Sequence, residues 1–217
     1  MSTLLKIDSS PHGEESISRA LGRAFRDEWL ALHPGGRVIE RDLALSPPPF
    51  LDTEWTRAAL IARAQRGERE RSALALSEEL IAEVAAAGEI VIATPVINLC
   101  IPACLKAWID QIVRVNASVV VRRDGMEGLM TGKRAVVISA SGLRYDRDSP
   151  YFGCNMTVPY LRAALGIIGV TQVAAIEAEG GNDIRHGRIE RSRFLAGFEQ
   201  RVRDAAGHRA GLAAPAI

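Results

Sequence analysis

Two short apolar runs constrain the fold of this chain more than any other feature. Residues 89–93 and 134–139 consist mainly of isoleucine, valine and alanine, with a polar residue only at their ends. Near-continuous apolar runs of this length are typical of strands buried on both faces, as in parallel sheets covered by helices. The chain is therefore expected to build a sheet with helices packed against each side.

The rest of the chain alternates between strand and helix patterns. Three further strands are predicted over residues 4–7, 37–43 and 172–177, and a small β segment over 118–121. Helical spacing predicts helices over residues 16–32, 53–87 (undivided, or divided at Gly67), 99–115, 151–168 and 187–206. This alternation implies right-handed crossovers and a parallel sheet. We predict a single α/β domain over residues 1–206 and a flexible tail over 207–217.

Charge and composition exclude several classes of partner. The 27 basic and 26 acidic residues give a net charge of +1, which favours neither nucleic acid nor an anionic membrane as a partner. The apolar runs are shorter than the roughly 20 residues of a membrane helix, and no signal peptide is evident. Three cysteines are too few for a disulfide scaffold and show no metal-ligand spacing. We expect a soluble cytoplasmic protein without a bound metal.

The loop after the first predicted strand has the features of a phosphate site. Ser10, Ser16 and Ser18 supply hydroxyl groups where a strand leads into a helix. Free backbone N–H groups and the positive end of the helix dipole favour an anion there. The loop matches neither a Walker A sequence nor G-x-G-x-x-G. Ser16 acting only as a helix cap is the alternative.

The loop after the third strand, from Pro95 onward, suggests a second binding surface. Pro95 is expected to end the strand, Asn98 to cap the next helix, and Pro102 to lie in its first turn. Successive exposed N–H groups in such a turn would suit the edge of a flat heterocycle with carbonyl oxygens and ring nitrogens. An ordinary strand-to-helix turn is the alternative.

The pattern P-x-x-N-x-x-I-P-x-x-L-K-x-x-I-D over residues 95–110 resembles the flavin-binding loop of flavodoxin-like NAD(P)H-dependent FMN reductases. The chain is more specifically similar to the FMN-dependent NADH-azoreductases, which also reduce quinones. The resemblance extends to about Glu179. It includes Ser9-Ser10, Ser16-x-Ser18, Arg41-Asp42-Leu43, residues 127–133, Pro159-Tyr160-Leu161 and residues 166–169.

This resemblance implies a flavodoxin-like three-layer fold with a five-stranded parallel sheet of order 2-1-3-4-5. It also implies non-covalent FMN, with the phosphate on the first loop and the isoalloxazine ring between two later loops. The implied cofactor-binding residues are Ser10, Ser16, Ile17 and Ser18 for the phosphate, Pro95, Val96, Ile97, Asn98 and Leu99 for the ring edge, and Ala140, Ser141, Gly142 and Leu143 beside the ring.

The resemblance further implies an FMN-dependent NADH:quinone oxidoreductase or azoreductase. NADH or NADPH would reduce the flavin and leave before a quinone or azo compound is reduced, a ping-pong mechanism. The flavin carries this chemistry, so no catalytic side chain is predicted. A homodimer is implied, in which the partner subunit completes the flavin site. An electron-carrying flavodoxin without substrate turnover is the alternative.

Departures from the family pattern bear on the acceptor. Ile97 and Leu99 replace an aromatic pair, and Leu143 ends a loop that usually reads Ser-Arg-Gly-Gly. Aliphatic side chains lack the π faces that stack on extended dyes, which favours quinones as substrates. Arg122 and Arg123 are candidates for binding an anionic substrate.

Four further side chains are candidates, and each of the two histidines has two interpretations. His12 would assist the phosphate or belong to a plain exposed loop, and His186 would edge the site or lie in a solvated loop. Cys100 and Cys104, four residues apart, are expected to share a helical face as buried thiols.

Overall fold

A five-stranded parallel sheet forms the centre of the computed structural model, which describes residues 2–207. The strands in this part of the chain are β1 (Thr3–Asp8), β2 (Arg37–Asp42), β3 (Glu89–Pro95), β4 (Val119–Arg122), β5 (Gly125–Gly128), β6 (Arg134–Ala140) and β7 (Gln172–Ala178). The large sheet has the order β2-β1-β3-β6-β7, with every neighbouring pair parallel. Numbered within the sheet, this is the order 2-1-3-4-5, so the predicted fold class is confirmed.

Alternate residues of the inner strands enter two hydrophobic clusters, one on each face of the sheet. Leu5 of β1 and its register partner Ile90 of β3 belong to one cluster. Leu4 and Val91, their neighbours along the chain, belong to the other. Successive side chains of a strand point to opposite faces, so both faces must be covered. The apolar runs in the sequence therefore reflect a sheet that is the middle of three layers.

The helices form the two outer layers. They are α1 (Ile17–Leu32), α2 (Thr53–Leu60), α3 (Glu68–Ala86), α4 (Ala103–Ile112), α5 (Thr157–Ile167), α6 (Asn182–Arg185), α7 (Arg191–Ala196) and α8 (Glu199–Ala206). Helices α3, α4 and α5 contribute Leu80, Leu105 and Leu161 to one cluster. Helices α1 and α8 contribute Phe25 and Val202 to the other.

Three predicted helices have different bounds in the structure, and the one predicted over 99–115 spans only Ala103–Ile112. The helix predicted over 151–168 begins only at Thr157. Gly153 has a φ of 75°, and the side-chain oxygen of Asn155 accepts a hydrogen bond from the Thr157 amide at 3.1 Å. The prediction over 187–206 is also wrong, because α7 and α8 are separate helices with Gly197 between them.

The division at Gly67 is confirmed. Helix α3 begins after this residue, whose amide donates to the Glu70 carboxylate at 2.8 Å. A short 3₁₀ turn at Arg63–Gln65 separates it from α2. The alternative of one undivided helix over 53–87 is therefore excluded.

The β segment predicted over 118–121 is observed as β4, which pairs with β5 in an antiparallel hairpin. The second strand of the hairpin was not predicted. Gly128 at its end lies against the backbone of Ile168 and Gly169, where a side chain would have no space. The hairpin is thereby held against the loop that follows α5.

Two further predictions are a flexible tail over residues 207–217 and apolar runs too short for a membrane helix. The predicted flexible tail lies outside the described residues except for Gly207, the C-cap of α8. Within residues 2–207, none of the helices has the length and apolar character needed to cross a membrane.

Candidate functional site

A cavity of about 500 Å³ opens at the carboxyl edge of the parallel sheet, where open α/β sheets bind their ligands. It lies among the loops that follow β1, β3, β6 and β7. Ten of the thirteen residues predicted to bind the cofactor line it: Ser10, Ser16, Ile17, Ser18, Pro95, Val96, Ile97, Ala140, Ser141 and Gly142. Asn98, Leu99 and Leu143 do not line it and have exposed side chains. Cofactor binding by all thirteen stays a prediction.

The loop after β1 presents hydroxyl groups and free amides at the start of α1. Ser16 is the N-cap, and its hydroxyl oxygen accepts a hydrogen bond from the Arg19 amide at 3.2 Å. It also lies 3.1 Å from the hydroxyl oxygen of Ser18. Within residues 2–207, the amides of Ile17 and Ser18 have no hydrogen-bond acceptor. These donors lie at the positive end of the helix dipole and suit an anion.

The Arg19 side chain anchors the loop that follows β1. Its Nε donates to the Ser10 carbonyl at 2.8 Å, and its two terminal nitrogens donate to the Asp42 carboxylate at 2.5 and 2.7 Å. The guanidinium therefore joins the loop after β1 to the end of β2. Hydrogen bonding from Arg19 lowers the pKa of Asp42 below its ordinary value, and the same bond raises the pKa of Arg19. Asp8, which pairs with Lys6, lies 4.0 Å from the guanidinium.

The loop after β3 makes a tight turn at residues 97–100. The Ile97 amide donates to the Cys100 carbonyl at 2.8 Å, and the Cys100 amide donates back at 3.0 Å. Asn98 and Leu99 between them have φ values of 47° and 71°, as in a type I′ turn. Leucine is strained in this region, at a cost of about 1–2 kcal/mol. In the described chain, the amides of both residues lack an acceptor, so they remain available to a ligand.

Two predictions about this segment are wrong. Asn98 does not cap α4, because it lies inside the turn and Pro102 is the N-cap. Cys100 and Cys104 do not share a helical face, since Cys100 precedes the helix. Both thiols are half-buried rather than buried, and desolvation raises the pKa of Cys104.

The loop after β6 is packed closely against the loop after β7. The Gly181 amide donates to the Ser141 carbonyl at 2.9 Å, and the Asn182 amide donates to the Gly142 carbonyl at 3.1 Å. A Cβ at Gly142 would lie 2.5 Å from the Asn182 side-chain oxygen. A Cβ at Gly181 would lie 2.8 Å from Ile17. A side chain at either glycine would therefore displace the side chain of Asn182 or of Ile17.

One wall of the cavity was missed by the sequence analysis. It comes from the segment after β7: Gly181, Asn182, Ile184, Arg185 and Arg191. No motif marks these residues, and they lie more than 160 positions from the first loop. The signal that would have found them is the Gly180-Gly181 pair directly after a predicted strand, at the same edge of the sheet as the other loops.

Of the remaining candidate residues from the sequence, one lines the cavity and the others do not. His12 lines it, together with Glu15 from the same loop, whereas His186 is exposed outside the lining. Arg122 and Arg123 lie in and beside the β4–β5 hairpin, also outside the lining, and Arg122 pairs with Glu127 at 2.7 Å. Recognition of an anionic substrate by these arginines stays a prediction.

The model of a protein family described as having a flavodoxin-like fold matches residues 2–202. The chain therefore belongs to this family. A relative named FMN-dependent NADH:quinone oxidoreductase, from Acidobacterium capsulatum, is 41% identical over 206 residues, covering 95% of this chain and 100% of the relative. A protein of the same name from Nostoc sp. is 39% identical over 206 residues, covering 94% of this chain and 98% of its own length.

Two solved structures show the same fold. An azoreductase from Bacillus anthracis str. Sterne has a TM-score of 0.84 and 23% identity, covering 96% of this chain and 100% of its own. An FMN-dependent NADH-azoreductase from Bacillus anthracis str. Ames Ancestor, in complex with FMN, has a TM-score of 0.82 and 23% identity, covering 97% of this chain and 100% of its own.

Asp42→Asn tests the link between Arg19 and the first loop. We expect the free energy of unfolding near neutral pH to fall by about 1–3 kcal/mol, because a charged hydrogen-bond partner of Arg19 is lost. Arg19 lowers the pKa of Asp42 in the folded protein. The contribution is therefore complete above the ordinary Asp pKa of about 3.9 and is lost as the pH falls through the lowered value.

Urea unfolding of both proteins across this pH range provides the measurement. Asp124→Asn, in the exposed turn of the β4–β5 hairpin, is the matched control and should change stability by less than about 0.5 kcal/mol. A difference between wild type and Asp42→Asn that stays constant down to the lowest pH would contradict the assignment.

Proposed function

We propose that this protein is an FMN-dependent oxidoreductase that uses NADH to reduce quinones. The observation that carries the proposal is a cavity lined both by the start of α1 and by Pro95, Val96 and Ile97, the last of which begins a turn with two free amides. The first suits a phosphate, and the second suits the edge of a flat heterocycle. Relatives about 40% identical over almost the whole chain carry the corresponding name, which supports the same activity here.

The residues present fit the phosphate end of FMN. The free amides of Ile17 and Ser18 and the hydroxyl groups of Ser16 and Ser18 converge at the start of α1. Such groups hold a phosphate without any rearrangement of the backbone. We assign the phosphate to these residues together with Ser10, whose side chain is buried at the same place.

The ring of the cofactor fits between the loops after β3 and β6. The strained turn at Asn98 and Leu99 leaves two backbone amides without an acceptor beside this region, and Gly142 keeps the opposite wall free of a side chain. When bound, FMN supplies the hydride chemistry, accepting a hydride from NADH and donating it to a quinone or azo compound. The chain's own contribution is to orient the ring and to stabilise added negative charge with fixed backbone dipoles.

The proposed acceptor preference rests on aliphatic side chains in the loops that form the cavity, of which Ile97 lines it. Ile97, Leu99 and Leu143 have exposed aliphatic side chains, which give apolar contact but no aromatic stacking. A small quinone needs less stacking area than an extended azo dye, so we propose quinones as the preferred acceptors. An electron carrier without substrate turnover is not favoured, because the relatives are named as enzymes.

We also propose that the protein acts as a homodimer. Leu99 and Met156 are joined by a hydrogen bond from the Met156 amide to the Leu99 carbonyl at 2.7 Å, and both have exposed side chains. Phe152, in the turn before α5, is 60% exposed. Exposed apolar side chains of this kind suit a contact surface, and a second copy of the chain would cover them.

Two further aspects of the proposal concern the chain as a whole. A single catalytic unit over residues 1–206 is supported by a family match over residues 2–202. A cytoplasmic location is supported by three unpaired cysteines.

Ser16→Asp is the most direct variant for the cofactor site. Aspartate caps a helix as well as serine does, so the variant should fold. Its carboxylate would repel the phosphate, and we expect FMN affinity to fall at least about 100-fold, since like charges about 4 Å apart cost several kcal/mol near a protein surface. Quenching of flavin fluorescence measures the affinity, and NADH:quinone turnover should fall in parallel when FMN is limiting.

Ser72→Asp adds the same charge at an exposed position of α3 and is the matched control. It should bind FMN as wild type does. Unchanged FMN affinity in Ser16→Asp would show that the phosphate does not lie at the start of α1.

Phe152→Glu tests the homodimer, because it would place a charge in the proposed apolar contact. We expect wild type loaded with FMN to sediment as a dimer and the variant to shift toward monomer. Leu32→Glu is the control: Leu32 is 54% exposed at the far end of the 16-residue helix α1, about 24 Å from the cavity end. A wild-type enzyme that is monomeric while FMN-loaded and active would contradict the dimer.

A further inference from the structure

The loop after β1, over residues 9–16, contains no lysine or arginine to balance the charge of a phosphate. The first loop offers neutral hydroxyl and amide donors, and its Glu15 places a carboxylate in the cavity lining. A phosphate monoester is close to doubly charged at neutral pH, with a second pKa of about 6. The Glu15 carboxylate opposes the binding of such a group, and the neutral donors do not offset that repulsion with a positive charge. In the described part of the chain, the lysine or arginine residues that line the cavity are Arg185 and Arg191.

Arg191 is the one of these two that is fixed against the first loop. It is the first residue of α7, and its terminal nitrogen donates to the Glu14 carbonyl at 3.1 Å and to the Ser16 carbonyl at 3.4 Å. The side chain is half-buried, whereas Arg185 is exposed. The guanidinium is therefore held at the start of α1, although more than 170 residues separate it from that loop.

The charge of Arg191 is not compensated by the described residues. No carboxylate of residues 2–207 pairs with it, and its two acceptors are neutral carbonyls. Its Nε is buried without a hydrogen-bond partner. An unpartnered N–H of a charged group is costly, and an anion that reaches it removes the cost.

We propose that Arg191 is the residue that makes the cavity select a phosphorylated flavin. Its guanidinium contacts the phosphate of FMN and balances the charge of both the phosphate and Glu15. Riboflavin, which lacks the phosphate, gains nothing from this contact and binds more weakly. The inference rests on the proposed function, since it assigns a selecting role within the same cofactor site.

The test compares the dissociation constants of FMN and riboflavin, each measured by quenching of flavin fluorescence. Arg191→Gln should reduce the preference for FMN over riboflavin by about tenfold or more, the range of a charge-assisted hydrogen bond. Arg193→Gln removes the same charge from an exposed position on the same helix and should leave the preference unchanged. The wild-type preference should also weaken with added salt, and more steeply than that of Arg191→Gln.

An equal loss of affinity for both flavins in Arg191→Gln would show that Arg191 only supports the loop, and would overturn the inference. Unchanged affinity for FMN would overturn it as well. Arg191→Met, which keeps the apolar stem of the side chain, repeats the comparison if Arg191→Gln does not fold. Failure of wild type to bind either flavin would overturn the proposed function itself. If wild type binds FMN and the Arg191 variants keep its preference for FMN over riboflavin, only the role of Arg191 is overturned.

Discussion

The ion pair between Arg19 and Asp42 is the interaction on which the candidate site depends. Arg19 lies in the first turn of α1, and its guanidinium reaches both the Ser10 carbonyl and a carboxylate at the end of β2. The loop between Ser10 and Ser16 contributes little hydrophobic burial that could fix its shape. A buried charge must keep its partners, so removing either side of the pair would release the loop. The geometry of the proposed phosphate site is thus imposed by the charged hydrogen bonds of Arg19.

The parallel sheet explains how distant segments form one cavity. All five strands end at the same edge, so the loops after β1, β3, β6 and β7 meet there. Each loop contributes a different property: free amides and hydroxyl groups, a strained turn, a glycine wall and a cationic segment. In the proposed mechanism the flavin carries the chemistry, so none of the loops has to supply an acid or a base. The proposed role of the arrangement is to orient the cofactor and to stabilise charge with preorganised dipoles.

The sequence predicted the fold well because the sheet strands carry a clear physical pattern. The runs at 89–93 and 134–139 are apolar at every inner position, and their ends located the loops that line the cavity. Predictions were wrong where a single backbone angle decides the structure, as at Gly153 and at the turn containing Asn98. Arg191 was missed because its position depends on the packing of α7 beside α1, which no local pattern encodes.

Anaerobic titration of the FMN-loaded protein with NADH tests the central claim most directly. The account predicts that an equimolar amount of NADH removes the yellow absorbance of the bound flavin, and that a benzoquinone then restores it without further NADH. Each half-reaction is observed separately, as a two-step transfer of a hydride requires. A flavin that stays oxidised in excess NADH, or a reduced flavin that the quinone fails to reoxidise, would contradict an NADH:quinone oxidoreductase.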